Sequence, residues 1–185
     1  MMVIKKVALG SGWRHYGRKW IHVDGFKYDQ VDIVTDIETM PEFEDNSVDV
    51  LYASHLLEYF NRQDAFVILN EWKRILKPGG KLYISVPDFQ VLARLYCDKF
   101  SHNIPLHKIV GPLYGQMEVD CSNGSYRTIY HKTVYDYSAL GELLKMVGFK
   151  RIERYETNDL IGKVDDHSKA KIDGEYISLN VVCTK

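Results

Sequence analysis

Apolar residues along the chain recur in two rhythms. Val7-Ala8-Leu9 and Ile21-His22-Val23 are short apolar runs that end at Gly10 and Asp24, the punctuation of buried parallel strands. Strands are therefore predicted at Lys6 to Leu9 and Ile21 to Val23, followed by two more at Val31 to Asp36 and Ser47 to Ser54. The rhythm then changes to helical: Ala65, Ile68, Leu69, Trp72, Ile75 and Leu76 fall on one stripe, with Asn61 placed to cap its start and Pro78-Gly79-Gly80 to stop it. Lys81 to Pro87 reads as a fifth strand. Asp88 to Phe100 reads as a helix burying Leu92, Leu95 and Tyr96, and the stretch of about 100–135, through Ser122-Asn123-Gly124-Ser125, as an irregular insertion or lid. A further helix is predicted to bury Leu140, Leu143, Leu144 and Val147 and to stop at a left-handed Gly148. Two closing strands, "FKRIERYE" and "EYISLNVVCTK", flank a polar stretch from Thr157 to Gly174 that reads as a mobile loop. Alternating strands and helices predict a single α/β domain over residues 1–185 with a largely parallel sheet.

The charge balance adds little. Lys plus Arg number 24 against 25 Asp plus Glu, for a net charge of -1, so no general attraction to nucleic acid or anionic lipid is expected. Cys97, Cys121 and Cys183 are far apart and form no Cys-x-x-Cys pair, which reads as reduced intracellular thiols without structural zinc. The amino-terminal residues lack the pattern of a signal peptide, and no apolar run approaches the ~18 residues of a membrane span. A cytoplasmic location with no membrane partner is the expectation.

The candidate chemistry lies in "ALGSGWRHYGRKWIHVDG", Ala8 to Gly25. An acid at the end of the second strand of a doubly wound sheet sits beside the first glycine turn and can accept hydrogen bonds from two ribose hydroxyls. That suits NAD and S-adenosylmethionine equally. A dinucleotide site needs Gly-x-Gly-x-x-Gly opening a full helix, with the acid ~20 residues on. Here position 15 is His15, and only Trp13 to Trp20 separates Gly12 from the next strand. A pyrophosphate cradle is disfavoured. S-adenosylmethionine has no phosphate and requires bare backbone and a ribose acid, both present.

"VDIVTDIETMPEFEDNSVDVLYASHLLEYF" followed by "ILNEWKRILKPGGKLYISVPD" resembles the class I S-adenosylmethionine-dependent methyltransferases, most closely a compact bacterial subgroup of the methyltransferase type 11 kind. The likeness runs from about Val3 to Asp88 and resumes at "MVGF" and "ISLNVV". It implies a Rossmann-like, doubly wound, mostly parallel seven-stranded sheet with an antiparallel last strand. It also implies S-adenosylmethionine as cofactor and S-adenosylhomocysteine as product. Gly10, Ser11 and Gly12 become the cofactor turn, Asp24 the ribose acid, Asp36 with Ile37 the adenine contact, and Ser54 and His55 the groups facing the sulfonium and the acceptor. Two positions depart from the pattern: Ala8 stands where many class I enzymes have an acid, and Tyr59 where the subgroup has histidine.

Bland alternatives stand beside several of these. Asp36 also reads as a turn acid, His55 as a core or capping histidine, His131 as one member of an aromatic packing cluster, and Asp88 as a helix cap. Asp165 to Ser168, "DDHS", reads as solvated loop. The expected function is methyl transfer to a small molecule or sugar unit, with oxygen the favoured acceptor atom. His55 or His131 would serve as general base, and Tyr59, Asp88 and Tyr126 would meet the substrate. A non-catalytic relative or partner subunit is the alternative, and an NAD-dependent oxidoreductase a weaker one. A homodimer through an exposed closing strand is a further expectation, as is a loss of Asp24 that weakens cofactor binding while barely moving the stability of the free protein.

Overall fold

In the computed structural model of the chain, the structure describes residues 4–98, 103–120, 126–156 and 158–185. Strands β1 (Lys6–Leu9), β2 (Trp20–Asp24), β3 (Ile33–Val34), β4 (Val48–Ser54) and β5 (Leu76–Pro87) are joined by β8 (Lys150–Arg154) and β11 (Ser178–Thr184). They form one seven-stranded sheet in the order β3-β2-β1-β4-β5-β11-β8. The first five pair in parallel, whereas β11 runs antiparallel to both β5 and β8. The closing strand is thus an interior strand. It is not the exposed edge on which the expected dimer contact depended.

Alternation along the strands assigns the two faces. Val7, Leu9, Leu51, Ala53, Leu82, Ile84, Leu179 and Val181 point to one side, where α1 (Arg62–Ile75) and α4 (Tyr137–Val147) cover them with Leu69, Trp72, Leu140 and Leu144. Ala8, Tyr52 and Tyr83 point to the other side. That side is covered by the turn after β1, through Tyr16, which packs with Trp20 of β2, and by α5 (Asn158–Ile161), through Ile161. No helix fills the short β1 to β2 crossover, as its length requires.

α1 starts where Asn61 accepts from the Asp64 amide at 2.9 Å. Asn61→Ala should cost about 1 kcal/mol and lower the melting temperature slightly, read by thermal unfolding. At its far end the expected Pro78-Gly79-Gly80 stop gives way to strand. Leu76 is already extended, and the Pro-Gly-Gly residues lie in β5, where the ladder to β4 jumps from Val48↔Leu76 to Val50↔Lys81. Arg74 holds the segment after β3 by donating to the Phe43 and Met40 carbonyls, and Trp72 Nε1 donates to the Ile37 carbonyl at 3.3 Å. Both bonds position the Asp36-Ile37 turn.

Four further expectations are corrected. Tyr96 on α2 (Phe89–Cys97) is 37 % exposed and outside the core, since only Leu92 and Leu95 face inward. Leu143 is half-buried, packing at the margin of the main core. The supposed irregular insertion holds α3 (Leu106–Tyr114) and an antiparallel hairpin of β6 (Gln116–Asp120) and β7 (Tyr126–Tyr130). Ser122 to Ser125 and Cys121 lie outside the described residues. The polar stretch before β11 also has order: after α5 comes a small hairpin of β9 (Lys171–Ile172) and β10 (Glu175–Tyr176), with Asp166 and Ser168 buried ahead of it.

Candidate active site

The carboxyl ends of β1, β2 and β4 open into a cleft of about 570 Å³, within the roughly 300–1,000 Å³ typical of small-molecule sites. Gly10, Gly12, Asp24, Asp36, Ile37, Ser54, His55 and Tyr59 all line it, so the topology gathers eight of the sequence-predicted site residues. Gly10 and Gly12 have φ of 61° and 55°, a left-handed backbone that favours glycine. A Cβ on Gly10 would lie 2.8 Å from Leu56 Cδ1. Bare backbone is therefore required there by packing and exposes a peptide surface to the cleft.

Asp24 is buried at the end of β2. Its Oδ2 accepts from the Gly12 amide at 2.8 Å and its Oδ1 from the Phe26 amide at 2.9 Å. Burial raises its pKa above the usual aspartate value, against the pull of these amides and that of Gly25. The carboxylate thus fastens the glycine turn and keeps lone pairs for a ligand hydroxyl. Asp36 lines the cleft, and its Oδ1 accepts from the Glu38 amide at 3.0 Å as a turn acid. Ser11 does not line the cleft. It is fully buried, and its hydroxyl has no hydrogen-bond partner among the described residues.

Ser54 Oγ donates to the Asp166 carbonyl at 2.8 Å. His55 follows with φ 50°, a strained conformation for a non-glycine residue at a strand end. Its Nε2 lies 3.0 Å from Ser178 Oγ and its Nδ1 3.2 Å from Glu58 Oε1. Glu58 sits in a 3-10 turn, Leu57–Tyr59, and is buried. His131, just after β7, does not line the cleft. Its Nδ1 is 3.2 Å from the Leu113 carbonyl, its Nε2 is 3.8 Å from Glu58 Oε1, and its ring packs edge-on against Tyr59. Burial holds its pKa below the usual histidine value, with the Glu58 charge opposing. The Tyr59 hydroxyl is pushed up to about 12 by burial and then by Glu58, so it stays protonated at neutral pH.

Two sequence-predicted substrate residues fall elsewhere. Asp88 caps α2, its Oδ1 accepting from the Gln90 and Val91 amides, and does not line the cleft. Tyr126, at the start of β7, is 75 % exposed and also outside it. The hairpin contributes Met117, Arg127 and Ile129 instead, and the turn after β1 contributes Trp13 and Arg14. His167 lines the cleft too, with φ 70° and a pKa lowered first by burial and then by Arg14 and His55. The solvated reading of "DDHS" is overturned at Asp166 and Ser168, which are buried while Asp165 and His167 are exposed; both Tyr16 and Tyr52 donate their hydroxyls to Asp166 Oδ2. Those partners lie more than a hundred residues away in the chain, so no local pattern announces them.

Residues 13–84 match the family described as "Methyltransferase domain". No curated protein matches the sequence. Among solved structures, the chain is similar to a possible histamine N-methyltransferase from Thermotoga maritima, at 20 % identity and TM-score 0.56 over 98 % of this chain and 82 % of that one. It is similar to a chain of the Haloferax volcanii complex between the Trm112 activator and a putative methyltransferase, at 16 % identity and TM-score 0.55 over 98 % and 82 %. A complex of DhpI with S-adenosylhomocysteine aligns at 12 % identity and TM-score 0.57 over 98 % and 76 %. Residues 13–84 are thus similar to a methyltransferase domain, and the chain as a whole shares the fold of these solved methyltransferase structures, its seven-stranded sheet opening into one cleft at the strand ends.

Proposed function

We propose that the protein transfers the methyl group of S-adenosylmethionine to a small molecule or a sugar unit, with oxygen the acceptor atom. The observation that carries this reading is the mixed lining of the cleft. The Gly10 and Gly12 backbone, Asp24, Asp36 and Ile37 line the same cleft as His55, Tyr59, Met117, Arg127, Ile129 and His167. A cleft of about 570 Å³ has room for the cofactor and for the reacting part of a small acceptor beside it. Gly10 to Gly12 would receive the methionine portion, Asp24 the ribose, and Asp36 with Ile37 the adenine. Ser54 and His55 would lie nearest the reacting atoms.

The methyl group is already activated by positive sulfur, so the chain's main task is to hold the acceptor in line at ~3 Å. A hydroxyl acceptor must also give up its proton, and the histidines lining the cleft supply basic nitrogen. Asp88 and Tyr126 have no part in this reading.

Calorimetric titration with S-adenosylmethionine, S-adenosylhomocysteine and NAD provides the test. The first two should bind and raise the melting temperature, and NAD should do neither. Tighter binding of NAD would overturn the assignment of the nucleoside-binding residues. A screen of hydroxyl compounds that yields no methylated product, with cofactor binding intact, would make the non-catalytic alternative the better one.

A further inference from the structure

Glu58 has no counterpart among the groups that hold donor or acceptor, yet it is 1 % exposed and neither of its carboxyl oxygens has a hydrogen-bond partner among the described residues. A buried carboxyl left so is costly. The protons around it follow from donor and acceptor rules. Ser178 Oγ donates to the His167 carbonyl at 2.7 Å, so it accepts from His55, and His55 Nε2 carries a proton. The Leu113 carbonyl only accepts, so His131 Nδ1 carries a proton as well. In neutral rings that leaves His55 Nδ1 and His131 Nε2 as bare lone pairs, facing Glu58 Oε1 at 3.2 and 3.8 Å.

Three lone-pair atoms converging away from water repel one another unless a cation lies between them. Among the described residues these side chains do not form a metal-holding group, and a proton is the cation the gap accommodates. Among the described residues, the other groups around the cluster are Tyr59 from the same turn, Tyr135 from the segment before α4, Arg62 beside Tyr135, His167 beside His55, and Arg14, whose charge reaches both Tyr59 and His167. The Tyr135 hydroxyl is also without a hydrogen-bond partner among the described residues, and burial first and Glu58 second keep it protonated.

We propose that Glu58 and His55 hold one proton between them as an internal store whose occupancy answers to the charge on sulfur in the cleft. The inference rests on the donor and acceptor assignment above. Charge balance supports it. Transfer breaks the methyl–sulfur bond, whose electron pair stays on sulfur, and forms the methyl–oxygen bond as the acceptor's proton leaves to solvent, and the cluster takes up a proton from solvent once the sulfonium is gone. One positive charge disappears at sulfur while another arrives beside it as a proton, so the net charge of the closed site is unchanged. Glu58 is a positioning residue here, since His55 lines the cleft and Glu58 does not.

The same argument requires a sulfonium in the cleft to oppose the stored proton and a neutral thioether to tolerate it. Titration calorimetry in buffers of different ionisation enthalpy reads the protons released on binding. S-adenosylmethionine should release more than S-adenosylhomocysteine, by up to ~1 proton. Glu58→Gln, which keeps the shape but cannot hold the negative state, should abolish the difference while both ligands still bind. Equal release by the two ligands in the wild type, or an undiminished difference in Glu58→Gln, overturns the proposal and leaves the methyltransferase reading standing. Failure of both ligands to bind the wild type overturns both. Should the variant not fold, ring-nitrogen NMR of the wild-type complexes decides. His55 Nδ1 should carry its proton with S-adenosylhomocysteine and lose it with S-adenosylmethionine, and identical Nδ1 signals refute the store.

Discussion

Asp24→Ala is expected to weaken S-adenosylhomocysteine binding at least ~10-fold and to destabilise the free protein by about 2 kcal/mol or more. The first effect follows from the loss of a carboxylate placed at the end of β2 in the cleft wall. The second follows from what that carboxylate does without a ligand. The Gly12 and Phe26 amides donate to it, and removing it orphans both, each at a desolvation penalty of ~1 to 3 kcal/mol. The sequence alone leads to the opposite expectation for stability, because a ribose acid reads as free until it binds. Asp24→Asn separates the two roles, since its single carbonyl oxygen serves one amide and its NH₂ group opposes the other.

The pH dependence has a definite sign. Burial raises the Asp24 pKa in the fold, so the native state takes up this proton more readily than the unfolded chain. Its contribution to stability is full below the unfolded value and is lost as pH rises through the raised one. Ribose hydroxyls donate to the ionised form. Affinity for S-adenosylhomocysteine should therefore be full above the raised value and fall as pH drops through it. Titrations across the acid range on wild type and Asp24→Asn check this; a parallel decline in both would remove Asp24 as its cause.

The legibility of the chain follows the range of the forces involved. β1, β2, β4 and α1 are readable because burial imposes a period on neighbouring residues, and Gly10, Gly12 and Asp24 are readable as cleft residues because they sit at the ends of those strands. β3 shrinks from the expected Val31 to Asp36 to Ile33–Val34. It is an edge strand paired only with β2, with no second ladder to extend it. The hairpin of β6 and β7 had a legible trace in the alternation of half-buried Met117, exposed Glu118 and buried Val119, a signal outweighed by the turn residues that follow. α3 carries Pro112 inside, which reads as a breaker. The surroundings of Glu58 and His131 are least readable: they are set by residues brought from elsewhere in the fold, and polar sequence gives no sign of burial.

Asp166 shows how far such a group reaches, and its removal should be the most damaging single change to stability. Tyr16 from the turn after β1 and Tyr52 from β4 both donate to Asp166 Oδ2, and Ser168 donates to Oδ1 through its amide at 3.1 Å and its hydroxyl at 2.6 Å. Burial, with the nearby Asp166 charge, holds both tyrosines far above their ordinary pKa, so they remain donors. Asp166→Ala leaves two phenol hydroxyls in an aromatic layer without acceptors and frees the segment that covers the sheet's second face. A loss of about 2–5 kcal/mol is expected in denaturant unfolding. The same segment gives the cleft His167, the Asp165 carbonyl that accepts from Arg14 Nε at 3.0 Å, and the Asp166 carbonyl that accepts from Ser54. Affinity for S-adenosylhomocysteine should fall with stability. Tyr16→Phe combined with Tyr52→Phe removes the donors that would be orphaned, so adding Asp166→Ala to that pair should cost less than it does in the wild type. An additive triple variant would show that the hydroxyls do not depend on Asp166, and that apolar packing alone holds the segment over the sheet.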